Sequence, residues 1–201
     1  MLYRNPDGSL LFRPSGHGAL IENLNALDYD LIFIKNIDNI VVFEQNKPLC
    51  DYKKLIAGVL LKIQAQAFKY MNKFDEDEIL EDEIYNIELF VINRLNVNLG
   101  EAYKELSLEE KIGYLRDKLN KPIRVCGMVK NEGEPGGGPF WIKEENGNIS
   151  LEIIEFAQID FDNKEQKEIA NSATHFNPTD LVCGIRDYKG NKFNLAYFVD
   201  P

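Results

Sequence analysis

Residues 13–39, RPSGHGALIENLNALDYDLIFIKNIDN, read as loop, helix, strand and acidic loop in immediate succession. The opening Arg13-Pro14-Ser15-Gly16-His17-Gly18 puts a proline beside two glycines, a composition that leaves backbone free to approach something closely. Leu20, Ile21, Leu24 and Leu27 then recur at helical spacing while Glu22, Asn23 and Asn25 fall on the other face, which predicts an amphipathic helix. Leu31-Ile32-Phe33-Ile34 is a short unbroken apolar run, as expected for a strand buried on both faces of a largely parallel sheet. Asn36-Ile37-Asp38-Asn39 sits at its carboxyl end, where open α/β sheets bind ligands. A glycine loop at a helix start and an acid beyond the next strand would converge on one crevice. The loop offers amide N–H groups there, and Asp38 a hard oxygen ligand for magnesium.

The 201 residues suffice for one good core, and 44% apolar with 28% charged content is ordinary for a soluble globular protein. One domain over 1–201 is the default. Twenty-three basic against thirty-three acidic residues give a net charge of −10, which argues against nucleic acid or an anionic membrane surface as the main partner. No apolar run approaches the roughly 20 residues that span a bilayer, and the polar start lacks a signal peptide's hydrophobic region, so a cytoplasmic address is expected. Cys50, Cys126 and Cys183 are widely spaced and form no Cys-x-x-Cys pattern; all three are expected to be buried or half-buried thiols.

Asn5-Pro6-Asp7-Gly8 is a turn between Leu2-Tyr3 and Leu10-Leu11-Phe12. After Asn39 the pattern is helical over residues 48–120. Leu55, Ile56, Val59, Leu60, Ile63, Ala67, Met71 and Phe74 hold the 3.6 spacing, Ile79 to Leu95 carry a second amphipathic helix, and Ser107 with Glu110 forms a capping box that opens a third, stopped by Pro122. Val59, Leu60, Ile63, Ile84 and Ile87 are expected in one shared core. Seven carboxylates crowd the nine residues Asp75 to Glu83 and read as a solvated helix start rather than a metal cluster. From Pro122 the period becomes that of strands: Ile123 to Val129, Phe140 to Ile142, and Ile149 to Phe156 after the Asn146-Gly147-Asn148 turn. Between the first two, residues 130–139 hold four glycines and two prolines and are read as a loop, whose Glu132 and Glu134 are able to accept bonds from sugar hydroxyls or merely line a hairpin connection. Asn171-Ser172-Ala173-Thr174-His175-Phe176 follows. Finally, Leu181 to Ile185 is expected to pair with Phe193 to Phe198 across Lys189-Gly190-Asn191.

Pro14-Ser15-Gly16-His17-Gly18 with Phe33 to Asn39 resembles the UDP-sugar pyrophosphorylases, and most closely a bacterial relative of them, the domain of unknown function numbered 4301. Glu134-Pro135, the strand Ile153-Ile154-Glu155-Phe156-Ala157-Gln158 and the Asn171 to Phe176 segment continue the likeness. It implies a three-layer α/β fold of the nucleotidyltransferase type, GT-A-like, with a mixed sheet and a helical segment inserted after the metal-site strand. It implies joining of a sugar 1-phosphate to a nucleoside triphosphate, UTP by analogy, with magnesium on Asp38. Gly16, His17 and Gly18 would line the nucleoside and sugar; Glu134, Glu155 and Asn171 would face the sugar. Lys35, Arg124 and Lys130 would meet phosphate charge in the catalytic step. The sequence departs from the family in having neither a Gly-x-Gly-Thr-like nor a Gly-x-x-x-x-Gly-Lys-Ser/Thr segment to cradle a triphosphate. A fragment incomplete at both ends and inactive in isolation is therefore expected. Two other readings stay open: a non-catalytic module that binds a nucleotide or nucleotide sugar, and an α/β domain whose glycines merely turn corners.

Overall fold

The computed structural model describes residues 4–11, 20–36, 46–76, 79–133, 136–143 and 149–199. They fall into two compact units, residues 1–29 with 194–201, and residues 30–193.

In the first unit the expected turn forms. The Gly8 amide donates to the Asn5 carbonyl and the Asn5 amide to that of Ser9 (2.9 Å each), with Gly8 at φ +87° and a bridge between Arg4 and Leu10. Helix α1 (Ile21–Ala26) is only six residues and buries none of its own side chains, and Leu20 beside it is 56% exposed. A helix this short has little intrinsic stability. Asn25 holds it: its amide nitrogen donates to Asn194 Oδ1 (3.1 Å), and its oxygen accepts from the Leu195 amide (2.9 Å) at the head of the 3-10 turn Leu195–Phe198.

The second unit runs β1 (Leu31–Lys35), α2 (Asn46–Asp75), α3 (Glu81–Leu95), β2 (Val97–Asn98), α4 (Leu108–Leu119), β3 (Ile123–Cys126), β4 (Val129–Lys130), β5 (Gly138–Lys143), β6 (Ile149–Ile154), α5 (Lys164–Asn171), β7 (His175–Phe176) and β8 (Asp180–Gly184). The strands form sheets β1-β8-β3 and β2-β6-β5 and a pair β4-β7. Every pairing among these strands is antiparallel. The chain is thus mixed α/β, but the expected largely parallel sheet is a misreading. Within β1 Ile32 is buried while Phe33 is 46% exposed, so an apolar run that suggested two covered faces belongs to a strand with one open position. The terminal hairpin is also corrected: β8 pairs with β1 and β3, the Asp187–Gly190 turn is followed by the Arg186–Lys192 bridge and by amide bonds of Asp187 to Asn191 and of Phe193 to Ile185, and Leu195–Phe198 form a 3-10 turn rather than a strand.

The helical segment forms as its periodicity requires, but among the described residues its buried side chains fall into separate clusters rather than one core. Ala57 and Leu60 of α2 pack on Val182 of β8, and Lys53 fixes the helix there by an ion pair to Asp180 (2.5 Å). Farther along, Ala67, Met71 and Phe74 join Ile84, Ile87, Val91, Leu115 and Leu119. Leu60 and Ile87 therefore belong to different clusters. Ile63 is half-buried, and Val59 is 42% exposed. The capping box is present: Ser107 Oγ accepts from the Glu110 amide (3.4 Å), while the Glu110 carboxylate accepts from the Ser107 amide (2.8 Å).

Glu81, Asp82 and Glu83 occupy the first turn of α3, as read, and Lys73 pairs with Glu83. Asp75 does more than close α2. It accepts from Tyr188 Oη (2.6 Å), Arg116 (2.6 Å) and Lys189 Nζ (2.9 Å), so one carboxylate joins α2, α4 and the turn after β8. The Tyr188 hydroxyl first, then Lys189 and Arg116, hold this carboxyl well below the usual carboxylate range. A depressed folded pKa contributes stability that is complete above the unfolded value near 3.9 and is lost as pH falls below it. Urea midpoints followed from pH 6 to pH 3 are expected to fall on the acid side in the wild type and to fall less steeply in Asp75→Asn. Parallel profiles would remove Asp75 from the acid response.

The glycine-rich stretch is not a loop throughout. Gly138 begins β5, and Gly137 is buried where its carbonyl accepts from the Asn177 amide (2.7 Å). A Cβ on Gly137 would stand 2.8 Å from Ile153 Cγ2, so the strand backbone packs where a side chain would not fit.

Candidate functional site

A groove of about 500 Å³ opens in the second unit. Pro139, Phe140 and Trp141 of β5, with Met128 before β4, give it an apolar wall; Ser172, Thr174 and His175, with Ile169 of α5, give the other. The second wall is placed by caps. Asn163 starts α5 by accepting from the amides of Glu165 (3.0 Å) and Gln166 (3.3 Å), and Ser172 Oγ ends it by donating to the Ile169 carbonyl (2.7 Å). The chain then turns into β7, where His175 stands opposite Lys130 and the Asn131 amide donates to the Thr174 carbonyl (2.9 Å). Thr174 Oγ1 and His175 Nδ1 lie 2.9 Å apart.

Two residues beyond His175 is Asn177, 6% exposed. Its side-chain nitrogen donates to the Gly127 carbonyl (2.6 Å), and its oxygen accepts from the Thr179 amide (2.9 Å). Thr179 takes φ +56° and in turn accepts from the Asn36 amide (3.1 Å). The Asn177 side chain thus ties the link from β3 to β4 to the approach to β8, its backbone amide reaches Gly137 before β5, and the Thr179 carbonyl holds the end of β1.

Of the residues singled out from the sequence, Gly16, His17, Gly18, Asp38 and Glu134 lie outside the described residues. Lys130 faces His175 across the β4-β7 pair, and exposed Asn171 ends α5 immediately before the groove's second wall. Lys35 is half-buried at the end of β1, opposite Asp180. Arg124, on β3 of the same sheet, is ion-paired with Glu152 of β6. Glu155 caps the 3-10 turn Phe156–Gln158, its carboxylate and the Gln158 side chain bonding each other's amides. The sequence reading missed Trp141, Phe140, Met128 and Asn177. A lone tryptophan has no spacing to betray it; Asn177-Pro178 is a turn signal that marks the corner.

Among the described residues no group of three or more His, Cys, Asp or Glu is placed to hold a metal ion, and no helix is long and apolar enough to cross a membrane. The cysteine expectation fails at one place, since Cys50 is exposed on α2. Burial pushes the Cys183 thiol up to about 11 and raises that of Cys126, which keeps both from thiolate chemistry.

Across residues 1–201 the chain matches the model of the family described as Domain of unknown function (DUF4301). No curated protein and no solved structure matches it.

Proposed function

The chain belongs to that family of unknown function, and from this premise we propose that it binds a nucleotide sugar as a relative of the nucleotidyltransferases. The observation that carries the reading is the groove: Ser172 to His175, from the segment that resembles the sugar-contacting part of the pyrophosphorylases, form one of its walls. A second observation agrees. Asn36 lies against Thr179, and Gly136 lies against Phe176 and Asn177. Both contacts bring the described chain to the corner fixed by Asn177.

In this proposal Asn171 and Glu134 address the sugar, Gly16, His17 and Gly18 the nucleoside, and Lys130 and Lys35 the phosphates. Arg124 and Glu155 take part only by exchanging Glu152 and Gln158 for ligand. Magnesium would sit on Asp38, and a cation held by one carboxylate and the ligand's phosphates needs no cage of protein ligands. The metal would supply charge neutralisation on those phosphates. The fold likeness belongs to the same proposal in its coarse form, helices on a sheet with a helical segment after β1. Because β1 runs antiparallel to β8, its carboxyl end does not open on the crevice of a parallel sheet.

Binding and turnover separate here. Joining a sugar 1-phosphate to UTP needs a triphosphate cradle, and the sequence contains none of the usual glycine segments, which favours the binding-module reading for this chain alone. A ligand that binds only the folded state raises the melting temperature by mass action. UDP-glucose at millimolar concentration is expected to raise it, more with magnesium than without, and ADP-glucose less. An unchanged melt across uridine and adenine nucleotides and their sugars would overturn the proposal.

A further inference from the structure

We propose that Trp141 is the stacking platform for the sugar's pyranose ring, and that the groove is the sugar subsite of the nucleotide-sugar site; the inference rests on the reading above. A pyranose is two-faced, with C–H groups that prefer an aromatic surface and a rim of hydroxyls that need hydrogen-bond partners. The groove has walls to match. Trp141, Phe140 and Met128 offer apolar surface, and Ser172, Thr174 and His175 bring two hydroxyls and an imidazole.

Trp141 is 58% exposed, an open position for a side chain of that apolar area. It is not on a mobile tip. It sits within β5, opposite Leu151, in a register that runs unbroken from Gly138 to Lys143 against β6. The paired strand fixes the backbone, so stacking has only the two side-chain torsions of the tryptophan left to order. Across the groove, Thr174 Oγ1 holds His175 Nδ1, which fixes the imidazole and leaves Nε2 for a ligand hydroxyl. Among the described residues the groove's lining carries no carboxylate, and Lys130 stands opposite His175 in the β4-β7 pair. A flat nucleobase would use the tryptophan but would present few edges to Ser172 and Thr174; a pyranose presents hydroxyls all round.

Trp141 is the sole tryptophan of the chain, so intrinsic tryptophan emission reports this groove alone. With magnesium present, UDP-glucose and glucose 1-phosphate are expected to shift that emission to the blue, and UMP to leave it unchanged. In calorimetric titrations Trp141→Ala is expected to weaken UDP-glucose about tenfold and UMP not at all, with Trp141→Phe recovering part of the loss. Unaltered melting temperatures of the two variants show that both fold. An equal emission shift with UMP would put a base, not a sugar, on the tryptophan and overturn the inference. So would wild-type affinity of Trp141→Ala for UDP-glucose. Either result leaves nucleotide-sugar binding standing, whereas a chain that binds none of the three probes overturns both.

Discussion

Ile87→Ala is expected to cost about 2–5 kcal/mol, the range for removing a branched aliphatic side chain from a filled core. Ile87 is 0% exposed at the centre of α3, among Ala67, Met71, Phe74 and Leu115. Three helices meet there, so few neighbours are free to collapse into the space left behind. The control is Ile63→Ala. That side chain carries the same chemistry on α2 but is half-buried, and its loss is expected to be clearly smaller in the same urea titration. Equal costs would mean that the apolar periodicity of α2, rather than the packing into separate clusters, decides what the helix contributes.

Asn177→Ala is expected to lose about 2–4 kcal/mol, because it leaves two backbone groups, the Gly127 carbonyl and the Thr179 N–H, without their partner. Thr179 adds to this, since its positive φ is held by the Asn177 oxygen. Asn177→Asp separates the terms. The carboxylate still accepts from Thr179 but cannot donate to Gly127, and it carries charge into a buried place. At neutral pH it is expected to be no more stable than Asn177→Ala. A milder Asp variant would mean that the bond to Gly127 contributes little and that the corner is held from Thr179 alone.

These two residues mark what was and was not legible in the sequence. Ile87 was readable because a helix repeats every 3.6 residues and a long one samples the pattern many times. Even so, Val59 fits the period and is 42% exposed: periodicity orders residues round a helix without saying which of two adjoining stripes meets a partner. Leu31 to Ile34 read as a strand correctly and as a parallel, doubly buried one wrongly, because an apolar run fixes neither the direction of the neighbour nor the cover on each face. The two-residue strands β2, β4 and β7 are too short for any alternation to show. Gly137 and Gly138 passed for loop because glycine favours turns, and the close approach that requires glycine at 137 is made by Ile153, distant in sequence. One wall of the groove falls in a segment that stood out as a motif, Ser172 to His175, whereas Trp141 and Asn177 are single side chains with no motif to mark them.

Nucleotide-sugar binding is tested most directly at Asp38. Calorimetric titration of UDP-glucose into the wild-type chain and into Asp38→Asn, each with and without magnesium, tests it directly. The expected result is saturable binding by the wild type that tightens with magnesium, and a folded Asp38→Asn chain whose binding no longer responds to the metal. Absence of binding heat in the wild type at millimolar ligand, or the same magnesium response in both proteins, would contradict it.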